Sequence, residues 1–82
     1  MFTNITKNGD NNICGVVIKQ RRTEMGKSQR QLADMLQIAG LDIDKNAIQR
    51  IEAGKRFVTD IELVYLTKVL QVSYDDLLNE SV

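Results

Sequence analysis

The stretch SQRQLADMLQIAGLDIDKNAIQRIEAG, which runs from Ser28 to Gly54, decides the fold. Its first residue, Ser28, is followed three positions later by Gln31, which is the spacing of a capping box at the start of a helix. Leu32 and Leu36 then recur at helical spacing, and they predict a helix with one apolar face. The stretch therefore begins with an amphipathic helix that packs against something else.

A second helix of this stretch begins after Asp44, a residue type that caps helices, and ends at Gly54. Ala47, Ile48 and Ile51 recur on one face and predict the buried side. The opposite side carries four candidate base-reading residues: Lys45, Asn46, Gln49 and Arg50. Lys and Arg donate to guanine in the major groove, and Asn and Gln pair with adenine. An ordinary solvated helix face carries the same residue types, so this helix alone leaves both interpretations open.

Three further helices are predicted outside this stretch. The first runs from about Asn12 to Met25 and ends at Gly26. Another begins after Thr59, the first residue of a second capping-box sequence. A short last helix begins after Ser73. No segment alternates as a strand does, so the sequence predicts an all-α domain of five helices.

The chain has 82 residues, which suits one domain. Residues 1–12 are polar, contain the run NGDNN and show no helical period, and we predict that they form a flexible arm. Residues 13–82 then form the helical domain. A core of this size has a small stability margin and depends on its packing.

Several function classes are disfavoured by composition. The chain contains Cys14 as its single Cys and no His, so we expect no metal site, no cofactor and no Ser–His or Cys–His catalytic pair. We therefore predict that the protein is not an enzyme. No apolar run, 16–18 included, approaches the ~18 residues of a membrane span, and we expect a cytoplasmic protein without a membrane partner.

The charges are divided unequally along the chain, although the formal net charge is zero. Residues 1–57 have a net charge of +4 and residues 58–82 a net charge of −4. Such asymmetry suggests a charged partner for one end of the molecule. Chance alone produces a division of this size often enough that the charge does not decide the matter.

Candidate phosphate-binding residues lie on both sides of the proposed reading helix. Gln29 and Arg30 occupy the start of the preceding helix, where free backbone amides and the helix dipole favour an anion. Lys55 and Arg56 follow the reading helix in a loop. Contacts of this kind fix the register of a protein on DNA, while base contacts specify the sequence.

Three motifs in order resemble the lambda-repressor-like helix-turn-helix domain of phage repressors and Xre-type bacterial regulators. They are SQxxLAxxL from Ser28, IxxIExGKR from Ile48 and LxxLxxxLxVSxDxLL from Leu63. The resemblance covers about residues 17–79. It implies five helices, with helices 2 and 3 as the DNA-binding unit and helix 3 in the major groove.

The resemblance also implies roles for single residues. It places base readers at the four exposed positions of helix 3 and phosphate contacts at Gln29, Lys55 and Arg56. It implies a structural ion pair between Arg22 and Glu52, which ties helix 1 to helix 3. We expect this pair to be partly buried.

The segment between the two motif helices departs from the family pattern. Residues 37–43 make it longer than the usual tight turn, and Gln37 stands where the family has its turn glycine. We infer that helix 2 continues to Gly40 and that Leu41 and Ile43 pack beneath an enlarged turn. Gln71 replaces another glycine, between helices 4 and 5, where left-handed geometry costs about 1 kcal/mol.

Two functional hypotheses remain at this point. The first is a sequence-specific transcriptional regulator, a repressor, whose partner is double-stranded DNA. The second is a protein-interaction module on the same scaffold, such as an antitoxin or antirepressor, which the zero net charge and the long turn favour. A weak homodimer, two-fold on DNA, is expected through a small patch of Val64, Tyr65, Tyr74 and Val82, unless these side chains complete the core or lie singly on the surface.

Overall fold

A computed structural model describes residues 5–6 and 9–78 of the chain. Five α-helices follow one another, as the sequence predicts, and the described residues contain no strand. They are α1 (Gly15–Glu24), α2 (Gln29–Ala39), α3 (Lys45–Glu52), α4 (Asp60–Leu70) and α5 (Tyr74–Leu78). The prediction of a five-helix, all-α domain is confirmed.

Four helices begin with side-chain caps at the positions that the sequence predicts, and at the start of α5 these are the reciprocal hydrogen bonds between Ser73 and Asp76. The hydroxyl of Ser28 accepts from the backbone N–H of Gln31, whose side chain accepts from the backbone N–H of Ser28. Thr59 and Glu62 form the same reciprocal box at the start of α4. Asp44 accepts from the third residue of α3. Each cap satisfies a backbone donor that the helix leaves without a partner, and each contributes about 1 kcal/mol.

The enlarged turn between α2 and α3 is ordered by its own hydrogen bonds. Gly40 ends α2 with left-handed geometry (φ 114°), and the N–H of Leu41 donates to the carbonyl of Leu36 at 2.9 Å. The Gln37 amide donates across the turn to the carbonyl of Ile43 at 2.7 Å. Ile43 is buried and Leu41 packs against the core, as predicted. The additional residues therefore extend α2 and complete the core instead of forming a loose loop.

One core is built from the inward faces of all five helices. Its fully buried side chains are Ile18 of α1, Leu32 and Leu36 of α2, Ile48 and Ile51 of α3, Leu66 and Leu70 of α4, and Leu77 of α5. Cys14 is buried beside them, and this burial raises the pKa of its thiol to about 11. The thiol is therefore neutral at physiological pH and behaves as a small apolar core residue.

The left-handed residue at the end of α4 gives a testable expectation. Gln71 has φ 57° and ψ 48°, a conformation that disfavours side chains with a Cβ atom. Gln71→Gly should raise the free energy of unfolding by up to about 1 kcal/mol, measured by urea denaturation. Gln20→Gly, at an exposed position inside α1, is the opposite control and should lower the free energy of unfolding by about 1 kcal/mol. A destabilised Gln71→Gly variant would contradict the expectation.

The segment just before α1 contacts the domain more closely than the sequence analysis expected. Asn11 and Asn12, which belong to the predicted flexible arm 1–12, donate hydrogen bonds to backbone carbonyls in the last turn of α3 and in the loop that follows it. A polar run without helical period gives no sign of such contacts, because they join residues about forty positions apart. Residues 1–4 and 7–8 of that arm, and 79–82 at the end of the predicted domain, lie outside the described residues.

None of the described helices is long and apolar enough to cross a membrane.

Candidate nucleic-acid interface

The two faces of α3 differ as the sequence predicts. Ile48 and Ile51 have no exposed surface and anchor the helix to the core. The four candidate base-reading residues are exposed: Lys45, Asn46, Gln49 and Arg50. Positions three and four apart are neighbours on a helix surface, so these four side chains form one continuous face about two turns long. Among the described residues, none of the four side chains has a hydrogen-bond partner, and all are available to a ligand.

An ion pair fixes the C-terminal end of α3. The Arg22 guanidinium of α1 donates to both carboxylate oxygens of Glu52, at 2.7 and 2.9 Å, and to the carbonyl of Lys27 at 2.8 Å. Only 12% of the Arg22 side chain and 3% of the Glu52 side chain are exposed. Hydrogen bonding to Glu52 raises the pKa of Arg22 above its ordinary value, against the effect of burial. The structure therefore contains the partly buried pair that the resemblance implies.

Gln29 belongs to the same cluster. Its side-chain amide donates to an oxygen of Glu52 at 3.0 Å, so Glu52 joins the start of α2 to the end of α3. This contact holds Gln29 in one orientation at the N-terminal end of α2, and one hydrogen of its amide group has no partner among the described residues. Arg30, the next residue, is exposed. The two candidates at this helix start thus differ: one is held in place and the other extends into solvent.

The two basic residues after α3 also differ from each other. Lys55 is exposed, but Arg56 is half-buried and pairs with Glu62 of α4. The Arg56 guanidinium donates to both Glu62 oxygens, at 3.0 and 2.8 Å, and to the carbonyl of Phe57 at 2.9 Å. These hydrogen bonds lower the pKa of Glu62 below its ordinary value, although burial acts in the opposite direction. Arg56 therefore supports the loop, which the sequence analysis did not anticipate, and two of its five N–H groups have no partner among the described residues.

The sequence contains one sign of the Arg56 contact. Glu62 stands three positions after Thr59 in a capping box, and a Glu in that position has one oxygen engaged by the helix start. Its second oxygen needs another donor when the residue is buried, and Arg56 is a nearby cation. No local spacing rule joins residues six apart across a loop, so the pairing itself was not predictable.

A small all-helical domain in which a short helix follows another across a turn and exposes a polar face is the arrangement expected of helix-turn-helix DNA-binding regulators. The chain belongs to the lambda-repressor- and Xre-like helix-turn-helix family, since a family model described as Helix-turn-helix matches residues 18–77. The matched region spans all five helices except the first residues of α1 and the last of α5. Comparisons with curated proteins and with solved structures found no match.

Proposed function

We propose that this protein is a sequence-specific transcriptional repressor that reads the DNA major groove with α3. The observation that carries the proposal is the exposed face of that helix, formed by Lys45, Asn46, Gln49 and Arg50. All four side chains are of the types that recognise base edges, and the opposite face is anchored in the core. A helix that is held rigidly loses little conformational entropy on binding.

The proposed phosphate contacts surround this face. Gln29 and Arg30 at the start of α2 lie where the helix dipole favours an anion, and Lys55 extends from the loop after α3. Arg56 remains a candidate through the two N–H groups that Glu62 and Phe57 do not engage. Such contacts would orient α3 on the duplex, as in other helix-turn-helix proteins.

The enlarged turn between α2 and α3 is compatible with this proposal because it is ordered. Its hydrogen bond from Gln37 to Ile43 and the burial of Ile43 fix the distance between α2 and α3. Gly40 also lies against the ring of Tyr65, where a Cβ atom would be 3.5 Å from the ring. We infer that the turn holds α3 at one defined angle to α2. Because the turn is longer than in the usual motif, this angle is specific to this protein.

Two-fold operators are the second part of the proposal, because one helix-turn-helix covers a single half-site. Of the expected contact patch, Tyr74 is 50% exposed and Val64 is 36% exposed. Tyr65 is half-buried and packs against the core, and Val82 lies outside the described residues. The apolar area that remains is small, which favours a dimer that is weak in solution and assembles on DNA.

A protein-interaction module is the second candidate function, and Ile38 favours it. This side chain is 89% exposed at the end of α2, and Val16 of α1 is 73% exposed. An antitoxin or antirepressor would use apolar side chains of this kind against a protein partner. We favour DNA because single exposed apolar residues are normal on monomers, and because the family to which the chain belongs is one of DNA-binding regulators.

Both candidates are non-catalytic, and we propose that the protein acts by binding alone. The chain contains no His, and its single thiol is buried and neutral. A repressor of this kind acts where the DNA is, which places it in the cytoplasm of a bacterial host cell.

The experiment that tests the proposal is selection from a random duplex library, followed by titration of the selected duplex in increasing salt. We expect a palindromic preferred sequence and a loss of affinity of roughly 10³-fold or more between 50 and 200 mM salt for ~6 phosphate contacts. A duplex with the selected bases scrambled is the control for non-specific binding. Absence of measurable affinity for any duplex at low salt would refute the proposal and favour the protein-interaction module.

A further inference from the structure

Two consecutive asparagines before α1 contact the last turn of α3 and the loop that follows it. The side-chain amide of Asn12 donates to the carbonyl of Ile51 at 3.0 Å and to the carbonyl of Arg56 at 2.8 Å. Its oxygen accepts from the backbone N–H of Gly15 at 2.8 Å. One side chain therefore connects the start of α1, the last turn of α3 and the loop that follows α3.

Asn11 adds two hydrogen bonds to the same loop. Its backbone N–H donates to the carbonyl of Gly54 at 2.7 Å, and its side-chain amide donates to the carbonyl of Lys55 at 3.1 Å. Carbonyls at a helix C-terminus have no partner within the helix. The two asparagines thus bind the carbonyls before, at and after Lys55, while the Lys55 side chain remains exposed.

Gly15 brings the two helices together at this point. A Cβ atom on Gly15 would collide with the carbonyl oxygen of Ile51, so the first turn of α1 lies directly on the last turn of α3. The backbone of α1 is in turn fixed by the burial of Ile18. Asn12 is therefore held in place by the packed start of α1, and its hydrogen bond to the Arg56 carbonyl restricts the motion of the loop.

From this geometry we infer that Asn12 is a positioning residue for DNA binding, which holds the Lys55 loop so that the ammonium group reaches a phosphate. Asn12 acts through the main chain on both sides of Lys55 and itself contacts no DNA. A loop that is already ordered loses less entropy when its side chain binds, and affinity rises accordingly. The inference rests on the proposed function, since it requires a DNA complex in which Lys55 takes part.

Asn12→Ala tests the inference because it removes the hydrogen bonds without changing the charge. We expect roughly tenfold weaker binding to the selected duplex at low salt. Affinity falls as salt rises, so the slope of log affinity against log salt is negative. We also expect the magnitude of this slope to decrease by about one, the value for one lost phosphate contact. A residue with a merely structural role would lower the melting temperature but leave the salt slope of the folded protein unchanged.

A double-mutant cycle with Lys55→Ala locates the effect. If Asn12 acts through Lys55, then Asn12→Ala should weaken binding by less than about twofold when Lys55 is already alanine. Gln20→Ala is the matched control, since it removes an exposed amide that has no hydrogen-bond partner among the described residues. Where circular dichroism shows that Asn12→Ala is unfolded, Asn11→Ala takes its place, because it removes a single exposed bond to the Lys55 carbonyl.

The outcomes separate this inference from the proposed function. No binding by the wild-type protein overturns both. Wild-type binding with an unchanged affinity and salt slope for Asn12→Ala overturns the positioning role alone. Additive effects of Asn12→Ala and Lys55→Ala in the cycle, or no effect of Lys55→Ala by itself, also overturn it.

Discussion

Arg22→Met is expected to lower the free energy of unfolding by about 3 kcal/mol or more, which removes most of the stability of a domain this small. The Glu52 carboxylate, 3% exposed, would lose both of its guanidinium bonds and retain only the amide of Gln29. An ionised carboxylate without a charged partner in such a site is strongly unfavourable. The carbonyl of Lys27 loses its donor at the same time.

The double variant Arg22→Met with Glu52→Leu shows whether the unpaired charge is the cause. Replacing both partners by apolar side chains leaves no buried charge, and we expect much of the lost stability to return. Urea denaturation measures each free energy, and thermal melting should show a decrease of roughly 10 °C or more for Arg22→Met. Arg30→Met is the matched control at an exposed position and should change stability by less than about 0.5 kcal/mol. A double variant no more stable than Arg22→Met would contradict this explanation.

The parts of the fold that were predictable from the sequence are those encoded by neighbouring residues. Four residues, Ser28, Asp44, Thr59 and Ser73, each cap a helix within three residues of themselves, so the sequence alone locates four helix starts. The exposed face of α3 follows from the spacing of Ile48 and Ile51. The Arg22–Glu52 contact joins residues thirty positions apart, and the resemblance to a family implied it where spacing could not.

What the sequence could not give are contacts between distant segments made by common polar residues. Asn12 stands in a run of polar residues that is typical of a loop, and only the tertiary structure brings it to the carbonyls of Ile51 and Arg56. Arg56 is a basic residue next to a proposed reading helix, which favours a phosphate contact on chemistry alone. Its pairing with Glu62 depends on how the loop folds back onto α4, and loop geometry of this kind has no sequence period.

The proposed reading face of α3 leads to the second large effect, which is expected in the double variant Lys45→Ala with Gln49→Ala. Each specific base contact contributes about 1–3 kcal/mol of discrimination, so the selected duplex should bind roughly 30-fold more weakly or worse. Both side chains are exposed, and alanine is the most favourable residue in a helix, so stability should not fall. If this variant binds the selected duplex far more weakly but unfolds with an unchanged free energy, the loss of affinity comes from lost DNA contacts and not from a damaged fold.

Lys19→Ala with Gln20→Ala is the matched control, because it makes the same two replacements at exposed positions of α1 and removes the same charge. If Lys45 contributed only to the overall positive charge of the protein, both pairs would weaken binding to the selected and scrambled duplexes alike, because non-specific binding depends on charge. Base reading predicts instead that the α3 pair weakens the selected duplex far more than the scrambled one. A repeated library selection with the α3 pair should then lose its preference at about two base pairs of each half-site, since each bidentate contact reads one. An unchanged preference would exclude Lys45 and Gln49 as base readers and contradict the reading face as proposed, because residues that the variant leaves intact would have to carry the specificity.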